Sequence, residues 1–252
     1  MSLLPEIKTT PTLDPARMTF LLYGPSGIGK TTFCAKLDGI LFLDTENGTR
    51  LQSVNKVEIP TWEVFLKAVD EICTKKHAFK TVAIDTVGRL VLMCTRFCCA
   101  KFGITHPSDQ AFGKAYDVIK KTFDEPIHRL QHSGYGLWFV GHADTKQVTP
   151  PIGNPYDFVE PELPNFLKKG VLALCDFIFF SMLEAKQDIN QEGKVTGTKT
   201  FRVLKTKPTK GYIAKDRIVG APLPETIPLD TKEFLETLGK HLKINSEISE
   251  NV

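Results

Sequence analysis

Long apolar runs are missing from this sequence. The longest, Val171 to Leu183, is interrupted by Asp176 and falls well short of the roughly 20 residues that span a bilayer, so no membrane segment is expected. The opening Met1-Ser2-Leu3-Leu4-Pro5-Glu6 has no basic stretch followed by an apolar core. It does not read as a secretory signal, and a cytoplasmic setting is expected. A charge excess is missing too. Lys and Arg number 32 against 29 Asp and Glu, a formal net charge of +3, so any basic patch for nucleic acid must be local. Tryptophan is scarce, at 2 against 17 phenylalanines, and runs such as Asp176-Phe177-Ile178-Phe179-Phe180 read as core rather than as a stacking platform. The six cysteines show no zinc-like spacing. Cys94, Cys98 and Cys99 fall in one helical segment with no second cysteine or histidine pair, and reduced, buried thiols are expected.

What is present is a regular alternation. Short apolar runs at Met18–Tyr23, Ile40–Asp44, Thr81–Asp85, Gly136–Gly141 and Asp176–Met182 read as strands. Segments with helical spacing of apolar residues lie between and after them: Lys30–Leu37, Trp62–Lys75, Gly88–Phe102, Asp109–Gln131 and Thr231–Leu242. Alternation of this kind implies a mostly parallel sheet flanked by helices, an α/β fold. Proline-rich Thr149–Pro164 and the Gly- and polar-rich Lys186–Thr200 read as exposed loops or hairpin tips. There is no internal repeat, and the simplest division is an irregular lead-in at 1–17, one domain at 18–242 and a polar tail at 243–252.

The strongest motif is Gly24-Pro25-Ser26-Gly27-Ile28-Gly29-Lys30-Thr31, which fills every position of G-x-x-x-x-G-K-[ST]. It stands between a strand and a helix, as a phosphate-binding loop requires. Glycines let backbone N–H groups turn inward around the β-phosphate, Lys30 reaches the β- and γ-phosphates, and Thr31 presents a hydroxyl to Mg2+. Thr32 completes the set on the first helical turn. ATP with Mg2+ is therefore the expected cofactor pair. A metal-side carboxylate is expected at the end of a second apolar strand, and Val82-Ala83-Ile84-Asp85 supplies Asp85. The strand Ile40-Leu41-Phe42-Leu43 runs into Asp44-Thr45-Glu46-Asn47-Gly48 and brings two more carboxylates to the same edge, either of which can orient water.

With these motifs the sequence resembles the RecA-like ATPases, whose second strand ends in Asp-x-Glu with the glutamate activating water. By that resemblance Glu46 is the catalytic carboxylate and Asp44 is structural. His142 stands where such proteins usually carry a glutamine that senses the γ-phosphate, which is a departure from the pattern. Lys205-Thr206-Lys207 and Lys215-Asp216-Arg217 each set two cations two residues apart, on one side of an extended chain. In RecA-like oligomers such a pair enters the neighbour's nucleotide site. Lys205 with Lys207 resembles the RecA version and Lys215 with Arg217 the replicative-helicase version. The second is slightly favoured, and self-association as a ring or filament is implied.

From Leu21 to Arg217 the chain resembles the AAA-type phage nucleotide-binding proteins, a RecA-like branch that includes the Sak-type single-strand annealing proteins. The resemblance implies a RecA-like P-loop core with a C-terminal β-hairpin extension. It further implies ATP hydrolysis and action on single-stranded DNA in phage recombination, annealing or replication, in the host cytoplasm if phage-encoded. The segment after His142 holds Lys146, Tyr156, Phe158, Phe166, Lys168 and Lys169, mixing cations with aromatics as single-strand binders do. Two alternatives remain: a motor or loader ATPase driven by a protein partner, and an ATP-gated DNA-binding module with vestigial hydrolysis.

Overall fold

The computed structural model describes residues 14–189 and 195–250. The elements in chain order are β1 (Thr19–Gly24), α1 (Lys30–Ala35), β2 (Ile40–Asp44), β3 (Lys56–Glu58), α2 (Trp62–Thr74), β4 (Thr81–Asp85), α3 (Val87–Phe102) and α4 (Lys114–His132). They continue with β5 (Gly136–Val148), β6 (Tyr156–Pro161), α5 (Asn165–Leu174), β7 (Phe177–Ile189), β8 (Val195–Lys205), β9 (Thr226–Pro228) and α6 (Thr231–Glu250). One nine-stranded sheet runs β3-β2-β4-β5-β1-β7-β8-β9, with β6 paired to the outer part of β5. Strands β3 through β7 along that order are parallel, and β8 and β9 add antiparallel pairs.

The near-continuous apolar runs of β1, β2 and β4 follow from burial on both faces, because successive side chains point to opposite sides of a strand. Leu21, Tyr23, Leu43, Val82, Ile84 and Phe139 pack towards α2, α3, α4 and α5. Phe20, Leu22, Phe42, Ala83, Trp138 and Val140 pack the other way, against α1 and α6 through Phe33, Phe234 and Leu238. The phenylalanine-rich composition is spent mainly here: Phe20 stacks on Trp138 at 4.3 Å and meets Phe234 edge-on at 6.2 Å. The cysteines are free, and all but Cys73 are buried.

Several boundaries depart from the sequence expectations. β5 does not stop at Gly141 but runs to Val148, and β6, inside the expected Thr149–Pro164 loop, pairs back on it from Ala143↔Pro161 to Val148↔Tyr156. Alternation there is weak because the outer part of this ribbon, 144–148 with 156–158, is exposed or half-buried and needs no apolar face, while Ala143 and Val159 at its base reach the core. The helical region expected from Asp109 begins as two 3-10 turns and becomes α-helical only at Lys114, after Gly113 at φ 68°. Helix α5 was not anticipated, although Phe166, Leu167, Gly170, Val171 and Leu174 recur at helical spacing. Strands β7 and β8 take up most of the expected Lys186–Thr200 loop, and its tip, 190–194, lies outside the described residues. Helix α6 runs to Glu250, through most of the expected polar tail. Of the expected lead-in, 1–13 lie outside the described residues and Pro15–Arg17 form a 3-10 turn. Among the described residues no helix is long and apolar enough to cross a membrane.

Candidate nucleotide site

Parallel strands in register bring their carboxyl ends to one edge. Gly24 lies opposite His142, and Asp44 opposite Asp85. The loop between β1 and α1 rises from this edge. Gly24 is demanded by close approach, since a Cβ there would fall 2.2 Å from Ser181 Oγ on β7. Gly29 sits at φ 110°, a backbone region that side chains disfavour. These two constraints give the loop glycines a physical reason in this fold.

Within the loop Lys30 is 6% exposed. Its ammonium donates to the carbonyls of Gly24 and Pro25, each at 2.8 Å. Burial pushes its pKa down, while the carboxylates of Asp85 and Glu46 oppose the shift. Thr31 Oγ1 donates to Asp85 Oδ2 at 2.7 Å. The Asp85 carboxyl is buried and its pKa is raised by that burial. The charges of Asp44 and Glu46 add to the rise, and the Thr31 hydrogen bond works against it. A hydroxyl and a carboxylate side by side at the phosphate loop suit Mg2+, which takes one or two protein oxygens and completes its shell with phosphate and water. Thr31 and Asp85 would hold it. Among the described residues no group of three His, Cys, Asp or Glu is arranged to hold a metal by itself.

The loop after β2 is organised by Asp44. Its carboxylate, 1% exposed, accepts from Glu46 N at 3.1 Å, Gly48 N at 3.1 Å and Thr49 N at 3.0 Å, and also from the Thr49 hydroxyl. Burial works to raise the Asp44 pKa, but these donors overcome it and hold the carboxyl below its usual range. The turn so formed presents Glu46. Glu46 Oε1 accepts from Thr86 Oγ1 at 2.8 Å and Oε2 lies 3.2 Å from His142 Nε2. Thr86 also caps α3 by accepting from Arg89 N. Thr45 Oγ1 grips both backbone groups of Thr86, donating to its carbonyl at 3.0 Å and accepting from its N–H at 2.8 Å. The ends of β2, β4 and β5 are thereby locked around one carboxylate.

A cavity of about 310 Å³ is lined by the phosphate loop, Lys30, Thr31, Thr32, Glu46, Asp85, Thr86 and His142. Ser26 and Gly27 line it from the loop, while Ile28 is buried and Pro25 is exposed, both outside that lining. A neighbouring cavity of about 300 Å³ shares Glu46, Thr86 and His142 and continues past Arg89 and Asp144. A larger one, about 510 Å³, lies between α2 and β3, away from the loop.

The late cation pairs lie elsewhere and have partners within the chain. Lys205 is buried, donating to Glu184 at 3.2 Å and to Thr226 Oγ1 at 2.8 Å. Lys207 pairs with Asp216 at 2.7 Å. Lys215 donates to the carbonyls of Leu172 and Cys175 at 3.1 and 2.6 Å, and Arg217 binds Asp176 at 2.9 Å and the Ala173 carbonyl at 3.2 Å. The two cations of the Lys215–Arg217 pair do project together, onto the carboxyl end of α5, where helix carbonyls are exposed. Lys215 bridges Ile178, which is paired with Leu21. That level is three residues, about 10 Å, back along β1 from Gly24.

The expected DNA-contact segment is likewise partly occupied. Glu160 pairs with both Lys146 and Lys168, the latter buried at 2.7 Å, and Phe166 packs on Tyr116 at 5.0 Å. Tyr156 and Lys169 remain exposed, and Phe158 is half-buried. Sequence reasoning gave no role to Thr45 and Thr86, whose only signal was their place beside strand-end carboxylates. It also gave none to Arg202 on β8, which carries no motif at all.

Comparison with known families adds one finding. Residues 16–218 match a family model described as an AAA domain. A search of curated proteins gives no match.

Proposed function

Because this chain belongs to an AAA domain family of nucleotide-binding P-loop ATPases, we propose that it hydrolyses ATP at the β1–α1 loop and couples turnover to single-stranded DNA, in recombination, annealing or replication of the Sak type. The observation that carries the reading is Glu46 fixed between Thr86 and His142 at the cavity that holds Lys30, Thr31 and Asp85. Backbone N–H groups of the loop and Lys30 hold the β- and γ-phosphates. Glu46 takes the proton of the attacking water, and His142 and Thr86 keep that carboxylate aimed. Mg2+ on Thr31 and Asp85 would spread the charge of the transferring phosphoryl group. His142, at the start of the β5–β6 hairpin, replaces the glutamine of the RecA-like pattern as the contact between the γ-phosphate side and that hairpin. Lys215 with Arg217, or Lys205 with Lys207, would act on a neighbouring subunit only by exchanging the partners described above.

A second reading, a motor or loader ATPase driven by a protein partner, is favoured by one observation. Glu160 neutralises Lys146 and Lys168 within the segment that would grip DNA. Steady-state ATP hydrolysis by the purified protein separates the two, with and without single-stranded DNA, with duplex DNA as control and at moderate salt. Stimulation by single strands supports the first reading. Turnover indifferent to DNA moves the assignment to the partner-driven ATPase, and DNA binding that needs ATP without measurable turnover points to a nucleotide-gated DNA-binding module.

A further inference from the structure

The hydrolytic groups lie on one side of β1. Glu46, Thr86 and His142 belong to the ends of β2, β4 and β5, all on the β5 side in the strand order. On the other side stand β7 and β8, and from β8 the side chain of Arg202 reaches back to the phosphate loop. A Cβ placed on Gly29 would lie 3.5 Å from Arg202 Nη1 and 3.7 Å from Leu229 Cδ2. The two residues are held together by the bond from Leu229 N to the Arg202 carbonyl at 2.9 Å. Arg202 is exposed, and among the described residues its guanidinium has no hydrogen-bond or ion-pair partner. It differs in this from Lys205, Lys207, Lys215 and Arg217, each engaged within the chain.

We infer that Arg202 receives the nucleoside half of the nucleotide, its planar guanidinium lying along the ribose and base with Leu229 as the apolar neighbour. This rests on reading the β1–α1 loop as the nucleotide site. A chain of phosphates anchored at Gly27–Thr31, with its terminal phosphate towards Glu46, sends its other end away from β5. That end passes Gly29, where Arg202 stands. Guanidinium groups suit this place because they stack on aromatic faces as well as donate hydrogen bonds. The β7–β8 hairpin is then part of the nucleotide site and not an appendage to the sheet. Arg202 acts on binding and not on the hydrolytic step, because Glu46, Thr86 and His142 lie on the other side of the loop, in a cavity that Arg202 does not line.

The test is Arg202→Ala in the full chain, with ATP and inorganic tripolyphosphate as ligands. Loss of a positioned guanidinium contact corresponds to a ~10-fold weakening. The expected result is a ~10-fold rise in the dissociation constant and KM for ATP, kcat at saturating ATP unchanged, and tripolyphosphate affinity within about twofold of wild type. Unchanged ATP affinity overturns the inference, as does an equal loss for tripolyphosphate, which would put Arg202 on the phosphates, or a fall in kcat at constant KM. A wild-type protein that binds no ATP would instead defeat the underlying assignment of the loop, so the two failures are distinguishable. Because Arg202 is exposed, its unfolding midpoint in denaturant should match wild type, and that measurement guards against a folding defect.

Discussion

Replacing Asp44 with alanine tests how the site is built, because the prediction separates stability, binding and turnover. The carboxylate holds four donors, and two of them belong to Thr49, which is fully buried. The N–H groups of Glu46 and Gly48 can turn to water, whereas the Thr49 N–H and hydroxyl cannot. Bonds to a charged acceptor contribute about 1.5–3 kcal/mol each, so the two buried ones alone set an expected loss of about 3–6 kcal/mol. Domains of this kind carry roughly 5–15 kcal/mol in all, so the variant should fold but with a much lower urea midpoint. Under conditions where it is folded, ATP binding should stay within about threefold, because Lys30 and the phosphate loop do not touch Asp44. Turnover should fall about 10–100-fold, since the turn that aims Glu46 has lost its centre. The sign of the pH dependence follows from the depressed pKa of Asp44. Its contribution is present above the unfolded value of about 4 and disappears as pH falls through the folded value, so wild type and variant should converge in stability under acid. A loss under about 1 kcal/mol, or turnover equal to wild type, would refute the assignment of Asp44 as organiser of the loop.

Three further substitutions address other levels of the structure. Lys30→Ala should abolish detectable ATP binding, while Glu46→Gln should bind ATP normally and lose about 10²–10⁴ in kcat, measured by phosphate release; a fully active Glu46→Gln protein would remove Glu46 from the chemistry. Tyr23→Phe deletes a hydroxyl that donates to the Ile213 carbonyl at 2.6 Å and accepts from its N–H at 3.1 Å, so unfolding should cost about 1–2 kcal/mol less with ATP affinity unchanged, as read by denaturant titration and nucleotide binding.

The phosphate loop and the strands that carry it were legible because each is a local pattern. Gly24 through Thr31 follow an apolar run, and the strands ending in Asp44 and Asp85 are buried on both faces, so their apolar character is continuous. The outer part of β5 and β6 were not legible, because 144–148 and 156–158 form an exposed ribbon with no buried face to impose alternation. The site itself was legible only in its anchors. Thr86 and Thr45 matter through contacts across β2 and β4, about 40 residues apart in sequence, and no spacing rule records such a meeting. The cation pairs show the converse. Two charges two residues apart do share a side in Lys215 and Arg217, but their surroundings, the carbonyls ending α5, come from packing that the pair alone does not specify.

The unbroken course of β5 has a mechanical consequence. From His142 to Val148 is six residues, about 20 Å of strand, with β6 zipped along it and Glu160 tying the ribbon to α5 through Lys168. No turn or glycine interrupts this stretch, so the far end of the ribbon is joined to His142 by continuous paired backbone with no loop between them. At the near end the imidazole of His142 meets Glu46 across 3.2 Å, a side-chain contact that yields before the backbone ladder does. A ligand placed on the hairpin would therefore meet Glu46 through paired backbone and one imidazole rather than through a loop.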